Sequence, residues 1–261
     1  GLYSVLFGMG FFLTRRRPGI MAASLASIGL GMTALYLSQV RSVLVMTLIA
    51  IVAVGAVLIW RRDVKRAFTL GGALFVMVVG GYVGATSLAG AAVAQRVGSL
   101  TASRPGSVYY QNRGHFLLDV FTQTLPEHPL GSGLGRWGMA GVYFPSAPKP
   151  DDPPAVWVEV QWAGWAVDGG IPLMVAYVAA ILAGLWMAWR VARLPRSIAG
   201  EELPFWGAIV LAHGIGALAL TFSYPLFVGQ TGMEFWLLNA TIFAAARPLL
   251  QARRAGWTPA P

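Results

Sequence analysis

The chain predicts an all-α, polytopic integral membrane protein. Three observations carry that expectation: the composition, a series of apolar runs about as long as a bilayer is thick, and the confinement of basic clusters to alternate connectors. Of 261 residues, 56% are hydrophobic and only 11% charged, and the mean hydropathy is +0.63. Soluble domains carry about 25% charged residues. A surface this poor in charge finds its solvent in lipid, so the bilayer is the first expected partner. The formal net charge of +9 invites a nucleic-acid reading. The basic residues instead sit in short clusters between apolar runs, as juxtamembrane residues do, and no nucleic-acid partner is expected. With no cysteine, disulfides, thiolate metal sites and cysteine nucleophiles are excluded. The chain opens at Gly1 inside an apolar run, with no initiator Met and no signal-peptide pattern, which predicts the carboxyl-terminal part of a longer protein.

A helix needs about 20 apolar residues to cross the hydrocarbon core. Seven runs reach or approach that length: Gly1–Leu13 (expected to be truncated), Gly19–Leu37, Ser42–Trp60, Phe68–Leu88, Ile171–Trp189, Leu203–Ser223 and Gly232–Ala246. Glycines such as Gly29, Gly31, Gly80 and Gly81 recur within them; between membrane helices small residues allow close backbone approach.

The connectors predict orientation. Arg15, Arg16 and Arg17 follow the first run, and Arg61, Arg62, Lys65 and Arg66 follow the third. Arg190, Arg193 and Arg196 follow the fifth, and Arg247, Arg253 and Arg254 the seventh. If every run crosses once, these thirteen of the nineteen basic residues share one side. That side is expected to be cytoplasmic, because Lys and Arg are retained there. Arg41, Arg96, Arg104, Arg113, Arg136 and Lys149 then face outward. The predicted organisation is four spans over 1–88, an extracytoplasmic loop with amphipathic helices over 89–168, three spans over 169–250, and a cytoplasmic tail over 251–261. A loop this long within a compact protein usually carries function. Its stretch Asn112–Leu125 places Phe116, Leu117, Val120 and Phe121 on one helical face, suited to lying on a membrane surface. Pro145–Pro154 reads as a turn-forming linker.

Several residues in these outer segments can carry chemistry. Arg41 stands in a very short outer turn, either as an interfacial anchor or as an anion-binding group. Arg113 is expected at a helix start, where an anion would offset its repulsion from the helix dipole. The run His128-Pro129-Leu130-Gly131-Ser132-Gly133-Leu134-Gly135-Arg136 resembles a nucleotide loop only superficially. No strand precedes it and no Lys-Ser/Thr follows. Its glycines are expected to allow a tight turn that brings backbone N–H groups near a ligand. Trp157, Trp162 and Trp165 suit an interfacial aromatic belt. Glu159 lies among apolar neighbours, where burial would raise its pKa and favour general-base duty; an exposed interfacial carboxylate is the alternative. His213 is an ionisable group within a span, either functional or bonded to a neighbouring helix. His115, His128 and Glu234 are further outer-side candidates. No His/Asp/Glu pair has metal-ligand spacing on one helix, so neither metal nor cofactor is expected.

In this order the pieces resemble the O-antigen ligase / O-antigen polymerase (Wzy-like) superfamily of bacterial membrane glycosyltransferases. The turn around Arg41 looks like the family's Ser-Arg-Gly segment. Arg113 followed by His128-Pro129-Leu130-Gly131-Ser132-Gly133 looks like its Arg…Pro-Leu-x-Gly-x-Gly element. Asp168-Gly169-Gly170-Ile171-Pro172 looks like its Glu-x-Gly-Leu-Pro element. The resemblance covers roughly residues 19 to 189, and it departs where the family has a histidine followed by an asparagine: Glu159 and Val160 stand there. It implies a GT-C-like helical fold in a bacterial inner membrane, with the active face periplasmic. It also implies a polyprenyl-diphosphate-linked oligosaccharide donor and a glycan or lipid acceptor. Glu159, Arg113 and Arg41 are then the expected catalytic residues. His128, Gly131, Gly133, Gly135, Arg136 and Trp162 are the expected substrate contacts. A transporter or flippase of an anionic or lipid-linked substrate is the alternative, since membrane-depth ionisable groups and broken helices mark transporters too. A non-catalytic scaffold is a third.

Overall fold

The structure, a computed structural model, describes residues 1–15, 17–102, 105–137, 159–195, 199–200 and 202–254. Arg16, Arg104, Lys149, Trp157, Arg196 and the Pro145–Pro154 linker lie outside the described residues. The described chain is helical and contains no strand. Its helices are α1 (Leu2–Thr14), α2 (Pro18–Ser38), α3 (Arg41–Trp60), α4 (Val64–Ala89) and α5 (Ala91–Ala102). They continue with α6 (105–127), α7 (Gln161–Ala192), α8 (Glu202–Leu220) and α9 (Gln230–Arg254).

Among the described residues, α2, α3, α4, α7 and α8 are long and apolar enough to cross a membrane. All seven apolar runs form helices, but two do not reach that standard. α1 has 13 residues, about 20 Å at the helical rise of roughly 1.5 Å per residue. α9 has 25 residues, yet Gln230, Thr231, Glu234, Asn239 and Arg247 dilute its apolar face. α7 reaches 32 residues by joining the short stretch before Asp168 to the longer apolar run after it, across a break at Gly170 (φ 60°, ψ −151°). Only a residue without Cβ adopts that backbone at little cost.

The chain divides into two compact units. The first holds Gly1–Ala102, Gly184–Ala217 and the chain from Glu234 onward; the second holds the chain from Ser103 to Ala183 and Leu218–Met233. Thus α5, expected in the outer loop, groups with the first four helices.

Small residues set the packing of the first unit. A Cβ on Gly8 would lie 2.6 Å from Ile28, one on Gly31 would lie 2.8 Å from the Gly1 carbonyl, and one on Gly81 would lie 2.7 Å from Met32. These contacts seat α2 against α1 and α4, and the Ser27 hydroxyl donates to the Ser4 carbonyl between the helices (3.0 Å). In a solvent that offers backbone groups no partners, close approach and interhelical hydrogen bonds replace the hydrophobic drive. A second core joins α3, α7, α8 and α9 through Val57, Ala188, Val191, Ala208, Leu211 and Ala246.

The basic connectors meet at one end of this unit. Arg61 donates to the carbonyls of Ala192 and Leu194. Arg66 lies over Phe205 at 4.7 Å, and Arg193 lies over Trp60 and Trp189 at 5.2 and 5.5 Å. Arg15 pairs with Glu202 at 2.8 Å. Arg41 begins α3 and Arg61 follows its end, so the two are separated by about 30 Å of helix.

Candidate functional site

The site is assembled in the second unit around the end of α8. The apolar run stops at Leu220, and the turn Thr221–Tyr224 before Pro225 leaves helix-end carbonyls without helical partners. Three successive ones are taken by groups from elsewhere. The Thr221 carbonyl accepts the Gln161 N–H (3.0 Å). The Phe222 carbonyl accepts the Tyr109 hydroxyl (2.8 Å), and the Ser223 carbonyl accepts Nε of Arg113 (3.2 Å). A helix C-terminus carries partial negative charge, so a guanidinium is favoured there. Gln161 also accepts the Phe227 N–H through Oε1 (2.7 Å). Trp162 donates from Nε1 to the Thr221 hydroxyl (3.0 Å). α7 therefore starts where the chain after α8 turns.

Arg113 uses a second edge of its guanidinium. Nη1 pairs with the Glu159 carboxylate and also donates to the Asn112 carbonyl. The two side chains retain 35% and 34% of their exposure, so solvent and solutes reach them. An ion pair this exposed contributes at most about 1 kcal/mol, and a stronger anion can replace the carboxylate. The structure thus joins Arg113 and Glu159, which are 46 positions apart. Glu159 is partnered and one-third exposed, closer to the exposed alternative than to burial among apolar neighbours.

Arg113 does not stand at a helix start. α6 continues without interruption through it, in a widened π turn over Tyr110–Gly114, and a second π turn spans Val120–Thr124. Such turns insert an extra residue and often mark functional positions. They also rotate the expected apolar face. Val120 is buried at 2% exposure while Phe121 is 50% exposed. His115 turns back onto its own helix, with Nδ1 3.2 Å from the Tyr110 carbonyl.

The glycine-rich turn binds an anion, but that anion belongs to the chain. Asp168 accepts the N–H groups of Gly135 (2.9 Å) and Arg136 (3.4 Å) and Nε1 of Trp137 (2.8 Å). The Ser132 N–H goes to the Val167 carbonyl (2.6 Å), and the Ile171 N–H to the Pro129 carbonyl (2.9 Å). Gly131, Gly133 and Gly135 all have positive φ, at 82°, 101° and 80°. A Cβ on Gly131 would lie 2.6 Å from the Gly169 nitrogen, and one on Gly170 would strike the Pro129 carbonyl. Gly131 and Gly135 therefore fasten this turn to the break in α7, instead of presenting their N–H groups to a ligand as expected. His128, Leu130 and Leu134 are exposed beside it.

Of the tryptophans expected in an interfacial belt, Trp162 and Trp165 are described and pack against other aromatic rings. Trp165 is 3% exposed, stacked on Tyr177 at 4.8 Å and near Phe227 at 5.8 Å. Trp162 packs on Phe222 at 5.2 Å. Trp162 thus joins the support beneath Arg113 and Glu159.

Arg41 belongs to the first unit, whereas Arg113 and Glu159 belong to the second. Also in the first unit, His213 is fully buried, with Nε2 3.3 Å from the Tyr3 hydroxyl. Glu234 hydrogen-bonds the same hydroxyl. Among the described residues, no group of three or more His, Asp or Glu side chains is placed to hold a metal ion.

Tyr109, Gln161 and the Thr221–Ser223 carbonyls are site components that sequence reasoning missed, and Asp168 was singled out only as part of a motif, without the donors it accepts. A signal existed for the last: a polar Thr-Phe-Ser-Tyr-Pro stretch ending an apolar run. No protein-family model matches the chain, and no curated protein matches it.

Proposed function

We propose that this protein is a membrane glycosyltransferase. It moves or polymerises a glycan from a polyprenyl-diphosphate-linked donor on the extracytoplasmic face of a bacterial inner membrane. The observation that carries the reading is the Arg113–Glu159 pair, one-third exposed and seated on the end of α8. Such a pair offers a guanidinium for a leaving diphosphate and a carboxylate for an acceptor hydroxyl.

The donor diphosphate carries more charge than the single carboxylate that Arg113 now holds, and guanidinium matches phosphate oxygens in a two-pronged geometry. Binding would exchange Glu159 for phosphate and release the carboxylate. Glu159 then accepts the acceptor hydroxyl proton as the oxygen attacks the anomeric carbon. The bond from that carbon to the diphosphate oxygen breaks with its electron pair, and Arg113 stabilises the charge left there. Attack opposite the leaving group inverts the sugar carbon. The Ser223 carbonyl holds Arg113 while its partner changes. Tyr109 and Trp162 brace the same turn. His128 and Arg136 flank the glycine-rich turn as candidate sugar contacts.

The test uses purified full-length protein, a lipid-linked oligosaccharide and an acceptor in detergent. New glycosidic bonds that disappear in Arg113→Ala support the proposal. Transport is the second reading, favoured by the part-buried Tyr3–His213 contact in the first unit. Movement of the donor across sealed vesicles without a new glycosidic bond would replace the transferase reading. Unchanged glycan product in both Arg113→Ala and Glu159→Ala would leave only a scaffold.

A further inference from the structure

The end of the first unit where α3 and α7 stop carries cations that the proposed reaction centre does not use. α3 closes in a tight cap: the Arg62 N–H donates to the Ile59 carbonyl (2.8 Å), and the Asp63 N–H to the Leu58 carbonyl (2.9 Å). Arg62 takes the left-handed position of this cap, at φ 59°. Glycine is the usual residue there, because a Cβ is disfavoured in that conformation. Arginine brings the backbone no advantage, so its exposed side chain is the feature to explain. On α7, Trp186, Trp189 and Arg193 follow at spacings of three and four and share one face. Arg193 lies over Trp189 at 5.5 Å and over Trp60 of α3 at 5.2 Å, and the two indoles meet at 4.8 Å. Two rings thus hold one guanidinium in place. Arg61 donates to the Ala192 carbonyl, which draws the segment bearing Arg62 to the segment bearing Arg193.

Charge and polarity define the occupant. Asp63 and Glu202 are the described acids at this end, and each already holds an arginine: Arg66 at 3.4 Å and Arg15 at 2.8 Å. The charges of Arg62 and Arg193 are left for a partner from outside the chain. Helix C-termini favour a nearby cation, but Arg61 already serves the carbonyls that end α7. Next to the two guanidinium groups, Ile59, Trp60 and Trp186 are exposed and apolar. They stand on helices long and apolar enough to cross a membrane, which sets acyl chains against them. A soluble anion would leave those side chains uncovered, and a zwitterionic headgroup would bring a cation toward the arginines. We propose that Arg62 and Arg193 bind the headgroup phosphate of an anionic glycerophospholipid, with its acyl chains along Ile59, Trp60 and Trp186. The site stands independently of the glycan-transfer reading.

The experiment uses full-length protein in phosphatidylcholine nanodiscs that contain a small fraction of phosphatidylglycerol carrying a photoreactive group near the top of one acyl chain. Labelled peptides are mapped by mass spectrometry. Labelling is expected in the segments containing Ile59 and Trp186, at least fivefold above that by the same probe built on phosphatidylcholine. It should fall at least fivefold in the Arg62→Gly/Arg193→Gln double variant. Unlabelled phosphatidylglycerol should compete, and soluble glycerol phosphate at least tenfold more weakly for lack of acyl chains. Labelling elsewhere only, equal labelling by the two probes, or unchanged labelling in the double variant overturns the site. Equal competition by glycerol phosphate overturns a lipid as its occupant. A second measurement separates lipid binding from helix capping. Arg62→Gly relieves the left-handed backbone, so thermal unfolding in detergent without added lipid should occur at the same temperature or higher. The rise in that temperature caused by added phosphatidylglycerol should shrink. A lower unfolding temperature without lipid would assign Arg62 to the cap of α3 and overturn its part in the site.

Discussion

In the first unit, Gly8, Gly31 and Gly81 let helices meet along apolar ridges. In the second, the Thr221–Ser223 carbonyls and the Asp168 carboxylate collect donors from α6, α7 and the glycine-rich turn. The difference shows where chemistry can be housed. A packed apolar seam has one good arrangement and resists opening. A network of hydrogen bonds around broken helix ends can exchange one partner for another, provided the new partner's charge has the same sign. Arg113, shared between a carbonyl and a carboxylate, is placed for such an exchange.

The contrast predicts unequal responses to similar substitutions. The largest effect is expected from Gly170→Ala, which combines a positive φ with a clash against the Pro129 carbonyl. The expected loss is about 3 kcal/mol in thermal unfolding in detergent. Gly80→Ala has open space around it and should change stability by less than about 0.5 kcal/mol. Equal effects at the two positions would break the comparison.

Asp168→Ala comes next. It removes the acceptor for three donors and should cost about 2–3 kcal/mol. Hydrogen exchange should accelerate at Gly135 and Arg136 and remain unchanged at Ile28 and Met32. Gly81→Val forces a branched side chain against Met32 and should cost about 1–3 kcal/mol by overpacking, without altering exchange in the glycine-rich turn. Among the substitutions expected to destabilise, the smallest effect belongs to Trp162→Phe. It keeps the ring against Phe222 and loses the bond to Thr221, worth about 1 kcal/mol. A loss several times larger would mean that Trp162 does more than brace the turn.

The five long apolar helices were legible because their runs are long and nearly free of charge, and Arg15, Arg61, Arg66 and Arg193 because they stand in the short connectors between runs. The break at Gly170 was legible from the Gly169-Gly170-Ile171-Pro172 run. α9 was harder, since its run Gly232–Ala246 is apolar while the helix that contains it is not. The Arg113–Glu159 pair could not be read, because its members are far apart in the chain and no periodicity relates them. Arg113 was misplaced at a helix start because the amphipathic pattern begins at Asn112, whereas the helix runs through it in a π turn. The glycine-rich turn was recognised as a turn with inward N–H groups. What it binds was missed, because a carboxylate 33 positions away leaves no local trace.

The most direct test exchanges the charges of the reacting pair. Arg113→Glu and Glu159→Arg are made singly and together, and glycan transfer from a lipid-linked donor is measured beside thermal unfolding. With the two groups holding separate chemical roles, each single variant should lose transfer at least a hundredfold. The double variant should regain stability to within about 1 kcal/mol while transfer stays lost. Recovery of transfer in the double variant would show that the pair serves only as a salt bridge, and would contradict the account.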